Sequence, residues 1–301
     1  MSITSDIMRL KKEKNAVILA HYYVDEDVQE VADFVGDSFY LSKVATKATQ
    51  DIIVFAGVEF MGESAKILNP TKKVLMPEPA ADCPMAHMAT KEEIMKIRQE
   101  YEDVAVVCYI NSTAELKTYS DVCVTSSNAV RIVKALPNKN IFFIPDRNLG
   151  SYVAKQVPEK NIILNNGFCP RHVAITEEMV IKSKEKYPNA KFAAHPECTE
   201  DVLKFADYVG STSGIIDYVV GTDCDEFIIG TVDGVFGEIR KKAPGKKLYT
   251  LKPDQVCVNM KMITLDKVLD VLEEEKNEVH VDEELAQKAM KPLLRMLELA
   301  K

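Results

Sequence analysis

The sequence predicts an α/β protein built as three similar three-layer αβα domains with parallel sheets, arranged around a pseudo-threefold axis. Three observations carry that expectation. Short apolar runs rich in Val, Ile and Phe, among them "AVILAHYY", "DIIVFAG", "VAVVCYIN", "NIFFIPD" and "EFIIGT", alternate with stretches of helical period such as "VQEVADFV" and "NAVRIVKAL". That is the pattern of βα units whose strands are buried on both faces. The chain also repeats itself at offsets of 88 and 174 residues. Finally, each repeat ends in one loop cysteine, so that three thiols would meet near a common axis.

The repeat can be followed element by element. "NAVILAHYY", "DVAVVCYIN" and "NAKFAAHPE" align so that His21, Tyr109 and His195 fall in one column at strand ends. The same offsets superpose "ADFVGDS", "SDVCVTS" and "ADYVGST", which brings Ser38 onto Ser126 and Thr212. Gly62 meets Gly150, with Gly237 one residue beyond, and Cys83 falls in register with Cys257 and within two residues of Cys169. Each unit opens on an amphipathic helix with a Thr expected at its N-cap, in "TSDIMRLKKEKN", "TKEEIMKIRQEY" and "TEEMVIKSKEKY". A fourth such start, "TLDKVLDVLEEE" at Thr264, has no strand set after it. The expected domains are residues 1–85 with the C-terminal helices 262–301, then 86–171, then 172–261. The apolar face of "DEELAQKAMKPLLRMLELA" is expected to cover the first of them.

Composition narrows the function classes. A chain of 301 residues, 47% hydrophobic and 28% charged, can bury a substantial core. The formal charge of -8, with no cluster of basic residues interleaved with aromatics, excludes a nucleic-acid footprint and favours small-molecule chemistry. No apolar run approaches the roughly 20 residues needed to cross a bilayer, and the opening segment is not a signal peptide, so a cytoplasmic protein with no membrane partner is expected. Seven scattered cysteines argue for reduced thiols over a disulfide framework.

Cys83 and Cys169 each precede proline in a polar loop, whereas Cys108 lies in a strand and Cys123 in an apolar run, where a cysteine is core packing. Three converging thiolates suit a zinc ion completed by His87 or His172. They equally suit an iron–sulfur cluster with one iron left without a protein ligand, a Lewis acid. Hydroxyl residues just after short strands, at Ser38, Ser126 and the Ser211–Thr212 pair, are where helix N-termini would offer N–H groups to an anion. In "HPEC", His195 and Glu197 lie two apart on an extended segment and so face one side; His21 and Tyr23, and Tyr109 and Asn111, hold the same two positions in the other repeats.

The motifs "LAHYY", "ADFVGDS", "CPMA", "VCYINST", "TSSNAV", "PDRNLG", "GFCPRH", "HPEC", "GST" and "CVNMK", in this order over essentially the whole chain, resemble the quinolinate synthase family of NAD biosynthesis. The resemblance implies a four-iron, four-sulfur cluster held by Cys83, Cys169 and Cys257. It implies the condensation of iminoaspartate with dihydroxyacetone phosphate, losing phosphate and water to give quinolinate. Glu197, Tyr109, His195, Tyr23 and His21 are then the expected catalytic residues. His21, Ser38, Tyr109, Asn111, Ser126, His172, His195, Glu197, Ser211, Thr212 and Met260 are the expected substrate contacts. An aspartate oxidase or dehydrogenase upstream would have to supply the imine, which hydrolyses readily. A C-x-x-C-x-x-C run found near the last cysteine in one bacterial pattern is missing here, which argues against a dithiol switch at that cysteine. Two other classes remain: a hydratase or lyase using the same open iron, and a non-enzymatic three-domain scaffold with zinc or no metal. Arg147 is expected to pair with a neighbouring acid, and "PEPAADCP" is the expected linker about which the domains would hinge.

Overall fold

The computed structural model describes residues 2–301. Twelve strands form three separate four-stranded sheets, every pairing parallel. The first holds β1 (Ala16–His21), β2 (Phe34–Gly36), β3 (Ile52–Ala56) and β4 (Lys73–Leu75) in the order β2-β1-β3-β4. The second holds β5 (Val104–Tyr109), β6 (Val122–Val124), β7 (Asn140–Ile144) and β8 (Asn161–Leu164) in the order β6-β5-β7-β8. The third holds β9 (Lys191–Ala194), β10 (Tyr208–Val209), β11 (Glu226–Gly230) and β12 (Lys247–Thr250) in the order β10-β9-β11-β12. Helices between the strands cover the sheets, so β1, β3 and β5 are buried at every position. A strand covered on both faces reads as a continuous apolar run rather than an alternation, which is how these strands read in the sequence.

Two polar devices recur once per sheet and pin the same features each time. Asp33, Asp121 and Asp207 accept the backbone N–H of Ile18, Val106 and Phe192 at 2.8, 2.7 and 2.8 Å. Each carboxylate also takes a cation from the first helix of its unit: Lys11, Arg98 and Lys184. The edge strand β2, β6 or β10 is thereby tied to the central strand and to the helix over it. Lys72, Lys160 and Lys246 each direct the ammonium group onto two carbonyls of the loop before the third strand: Ala48 and Gln50, Leu136 and Asn138, Thr222 and Cys224. These lysines are themselves 88 and 174 residues apart.

The structure adjusts the expected helix starts. The first helix, Ile3–Glu13, is capped by Ser2, whose hydroxyl accepts from Ser5 N–H, and not by Thr4. Ser2 is the residue in register with the caps Thr90 and Thr176 of Lys91–Glu100 and Glu177–Lys186. Thr264 opens the helix Leu265–Glu274.

The two C-terminal helices part company. Leu265–Glu274 packs on Ile3–Glu13 and β3 of the first unit. Glu283–Leu299, however, lies across β6 and the helix Ala114–Thr118 of the second unit, touching the first through Glu59–Leu68. Its buried apolar face, with Ala289, Leu293 and Met296, covers the β6 side of the second sheet instead. "PEPAADCP" is no loose linker either: Ala81 is fully buried and its carbonyl accepts Glu59 N–H at 2.8 Å, which fixes the segment to the first unit.

The buried apolar side chains form one continuous core through the first and second units and the C-terminal helices. The third unit has two clusters of its own, one on each face of its sheet, centred on Phe227 and Phe192.

Candidate active site

The carboxyl ends of the central strands from all three sheets open onto one cavity of about 160 Å³. It is lined by His21, Tyr23 and Ser38 from the first unit, by Tyr109, Asn111 and Ser126 from the second, and by His195, Glu197 and Thr212 from the third. Cys83, Cys169, Cys257, His172 and Met260 line it as well. Of the residues expected at the site, Ser211 alone stands outside the lining. Its hydroxyl is taken up as the N-cap of Thr212–Gly221, accepting from Gly214 N–H at 3.2 Å.

Repeat symmetry extends to side-chain geometry. The Nδ1 of His21 accepts the N–H of Tyr23 at 3.2 Å, and the Nδ1 of His195 accepts the N–H of Glu197 at 3.3 Å. A ring nitrogen that accepts carries no proton, so each imidazole is the Nε2–H tautomer. Burial disfavours the charged form and lowers His21 to about 4 and His195 to about 3, against the nearby Glu197 carboxylate, which favours it. The segment His195–Glu197 is a turn and not the extended stretch the sequence suggested, because β9 ends at Ala194.

Glu197 is the polar centre of the cavity. One carboxylate oxygen accepts from the Tyr109 hydroxyl at 2.7 Å, and the other lies 2.7 Å from the Nδ1 of His172. Burial alone would raise this carboxyl. His172 and His195, together with the hydrogen bonds from His172 and Tyr109, overcome that and hold it well below the ordinary carboxylate range. The Tyr109 phenol moves the opposite way, pushed up by burial and by the Glu197 charge, so it stays protonated. The Nε2 of His172 meets the Thr231 hydroxyl at 2.9 Å, and that hydroxyl meets the Tyr23 phenol at 2.7 Å. Tyr23 also reaches the Thr212 hydroxyl at 3.0 Å. An unbroken chain from Tyr109 through Glu197, His172 and Thr231 to Tyr23 therefore crosses all three units. Burial, then the charge on Glu197, raises the Tyr23 phenol.

The helix N-termini differ more than their sequences suggest. Ser38 is the first residue of Ser38–Ala45, behind the cap Asp37. Thr212 is the first residue of Thr212–Gly221. Ser126 stands before any helix, because the Asn128 side chain accepts Thr125 N–H at 2.8 Å and delays the helix to Ala129–Ala135.

The three cysteines occupy equivalent positions, each part-buried and unpaired. Cys83 and Cys169 directly precede the short turns Pro84–His87 and Pro170–Val173, and Cys257 stands shortly before Met260–Met262. Backbone N–H groups face each sulfur: those of Met85 and Ala86, of His172, and of Met260 and Asn259. Burial raises all three thiols, Cys83 to about 12; Glu197 raises them further, and the proximity of Cys257 adds to Cys83 and that of Cys83 to Cys169. Neutral thiols faced by backbone N–H donors and lining one cavity fit a group bound by three thiolates, whose arrival would displace the protons. Cys169, His172 and Glu197 also bring donor atoms within 4.8 Å of one another. His87 is placed elsewhere: it is half exposed and pairs with Asp82 at 2.7 Å, outside the cavity lining. Cys108 and Cys123 are fully buried core residues.

Several lining residues had no clear signal in the sequence. Asp37 reads as an ordinary cap, and Arg171 is masked by its neighbours in "CPRH". Thr231 follows β11 behind that lining, and its importance lies in the hydroxyl contacts it makes to His172 and, across units, to Tyr23. Arg147 meets the Asn166 amide at 3.1 Å and lies over the Phe168 ring rather than pairing with an acid.

A sequence model of the family described as Quinolinate synthetase A protein matches residues 5–298. A relative from Fusobacterium nucleatum, named quinolinate synthase, is 57% identical over 294 residues, covering 98% of both chains. Relatives of the same name from Caldicellulosiruptor saccharolyticus and a Sulfurihydrogenibium species are 52% and 53% identical. The alignments cover 99% and 98% of this chain and 98% and 97% of theirs. Among the described residues no helix is long and apolar enough to cross a membrane.

Proposed function

The chain belongs to the quinolinate synthetase A protein family, and from that premise we propose that it condenses iminoaspartate with dihydroxyacetone phosphate to form quinolinate, releasing phosphate and water. The observation that carries this reading is the single cavity in which three equivalent cysteines meet a buried acid–base chain contributed by all three units.

Cys83, Cys169 and Cys257 would hold a four-iron, four-sulfur cluster. When bound on three thiolates, such a cluster supplies one iron without a protein ligand, a Lewis acid toward an oxygen that must leave as water. Everything else falls to the chain's own residues. Both substrates are dianions, and Ser38 and Thr212 line the cavity as the first residues of two helices, where free backbone N–H groups would stabilise a phosphate or carboxylate. The Nε2–H groups of His21 and His195 remain neutral donors throughout the working pH range, suited to a carbonyl or carboxylate oxygen. Forming the ring moves protons in tautomerisation and in loss of hydroxyl. Glu197 accepts a proton from substrate, and Tyr109, already hydrogen-bonded to it, returns one. The Oδ1 of Asn111 is buried without a partner in this wall, an acceptor left for a substrate N–H or O–H. Met260, only 3% exposed, packs against the ring that forms. An aspartate oxidase or dehydrogenase would supply the imine, and the reaction would belong to NAD biosynthesis in the cytoplasm.

The test is an anaerobic assay in which iminoaspartate is generated from oxaloacetate and ammonia. Pyridine-2,3-dicarboxylate should appear only when dihydroxyacetone phosphate is also present. Anaerobically prepared protein that releases no such product would sink the reading, and turnover of another hydroxy acid would replace it with a lyase.

A further inference from the structure

Arg171 is the only Lys or Arg among the described residues lining the cavity. It is also the only one of the seven arginines with no protein partner among the described residues. Arg9 pairs with Asp6 and Glu13, Arg98 with Asp121, and Arg240 with Glu26. Arg131, Arg147 and Arg295 reach the Ala300 carbonyl, the Asn166 amide and the Asp121 carbonyl. A guanidinium has five donors in a planar fork that matches a carboxylate or phosphate two bonds at a time. A chain of net charge -8 offers ample carboxylates to occupy it, yet Arg171 stands half-buried at the wall with that fork unmatched.

Its surroundings sharpen the point. The cavity carries the carboxylates of Asp37, Asp82 and Glu197 and three thiols, while His21 and His195 are in their neutral form. With the thiols ionised the site would be strongly negative, and a dianion approaching it meets repulsion. Arg171 sits on the turn Pro170–Val173, one residue before His172, close enough to Cys257 for its charge to be felt there.

We propose that Arg171 is the anion-binding and selectivity residue of this cavity, taking two oxygens of one substrate dianion in a bidentate pair. This inference rests on the functional reading above and adds to it the group that makes the site prefer dianions. The oxyanion could be a carboxylate of the imine or the phosphate of the triose, and the two have separable consequences. A carboxylate ligand places the defect of a variant in affinity for the dicarboxylate, a phosphate ligand in affinity for the triose phosphate.

The test is anaerobic calorimetric titration of the iron-loaded protein with pyridine-2,3-dicarboxylate and, separately, dihydroxyacetone phosphate, comparing wild type with Arg171→Lys and Arg171→Gln at two salt concentrations. Arg171→Gln should weaken one of the two by roughly ten- to hundredfold, the size of a charge-assisted bidentate contact, with a flatter salt dependence. Arg171→Lys should fall between. In steady state the same loss should appear in KM for that one substrate, with kcat changed much less. Unchanged iron content and thermal midpoint would exclude a folding defect. If the wild type binds both dianions and Arg171→Gln binds them equally well, this inference is wrong while the functional reading stands. If the wild type binds neither, both fall.

Discussion

The first two units and the third are built on one pattern yet are attached to the molecule differently. Units one and two share a single apolar core with the C-terminal helices, whereas the third is stabilised by its own two clusters. It meets the others chiefly through polar contacts: Gln29 to the Gly234 carbonyl, Arg240 to Glu26, Lys261 to Asp25, Asp37 to Ser213, and Tyr109 and Asn148 to Glu197. The apolar exceptions are Tyr22, Tyr23 and Val35, which pack on the Phe227 cluster, and Met260, which joins the shared core. Repetition of a fold does not therefore imply equal coupling. The units fused by apolar burial form the platform, and the third unit is joined to it by hydrogen bonds and ion pairs around the cavity.

The largest effect expected from this difference is on stability. Phe143 in β7 and Phe192 in β9 are fully buried in the cores of the second and third units, and truncation of either to Ala should cost about 3–5 kcal/mol. Phe192→Ala should lower hydrogen-exchange protection across the third sheet and its helices alone. Phe143→Ala should lower it in the first and second sheets together. Equal loss everywhere from both variants would abolish the distinction.

A smaller effect is expected at the seam itself. Glu197→Gln keeps a hydrogen-bonding group for Tyr109 but removes the charge facing His172, and kcat should fall roughly 10²- to 10⁴-fold, the range for a proton-transfer group. The sheet cores should stay protected. A variant with nearly normal kcat would show that the carboxylate merely fastens the third unit.

The smallest concerns pH. His21 and His195 have folded-state pKa values of about 4 and about 3, below the ordinary value of about 6.5 in the unfolded chain. As pH falls the unfolded state takes up protons first. The stability from keeping these rings neutral is thus complete above about pH 6.5 and is lost progressively toward pH 4 and 3. Urea unfolding followed from pH 7.5 to pH 5 should lose part of its pH dependence in His21→Asn and in His195→Asn. An unchanged slope in both would mean that the rings are not held neutral.

Much of this architecture was legible because periodicity and repetition are backbone properties. A doubly covered strand must be apolar throughout, and three copies of one motif put His21, Tyr109 and His195 at equivalent strand ends, where the structure has them. The same register picked out the three cysteines, to which the resemblance gave an expected role, and they line the cavity together. What the sequence hid is tertiary. The apolar face of the helix Glu283–Leu299 says that it packs on a sheet but not that it packs on β6 and Ala114–Thr118 of the second unit. The displaced helix start beyond Ser126 depends on one Asn128 hydrogen bond. Thr231 and Arg171 gain their importance only from what stands opposite them, or fails to.

The central claim, that three equivalent loop thiolates hold one iron–sulfur group at the meeting point of the units, is tested most directly by iron and sulfide analysis with visible absorption. The anaerobically purified wild type would be compared with Cys83→Ala, Cys169→Ala and Cys257→Ala, with Cys108→Ala as the control. The expected result is about four irons and four sulfides per chain, lost in each of the three variants and retained in the control. Zinc, or no metal at all, in the anaerobic wild type would contradict the claim and remove the Lewis acid from the proposed reaction.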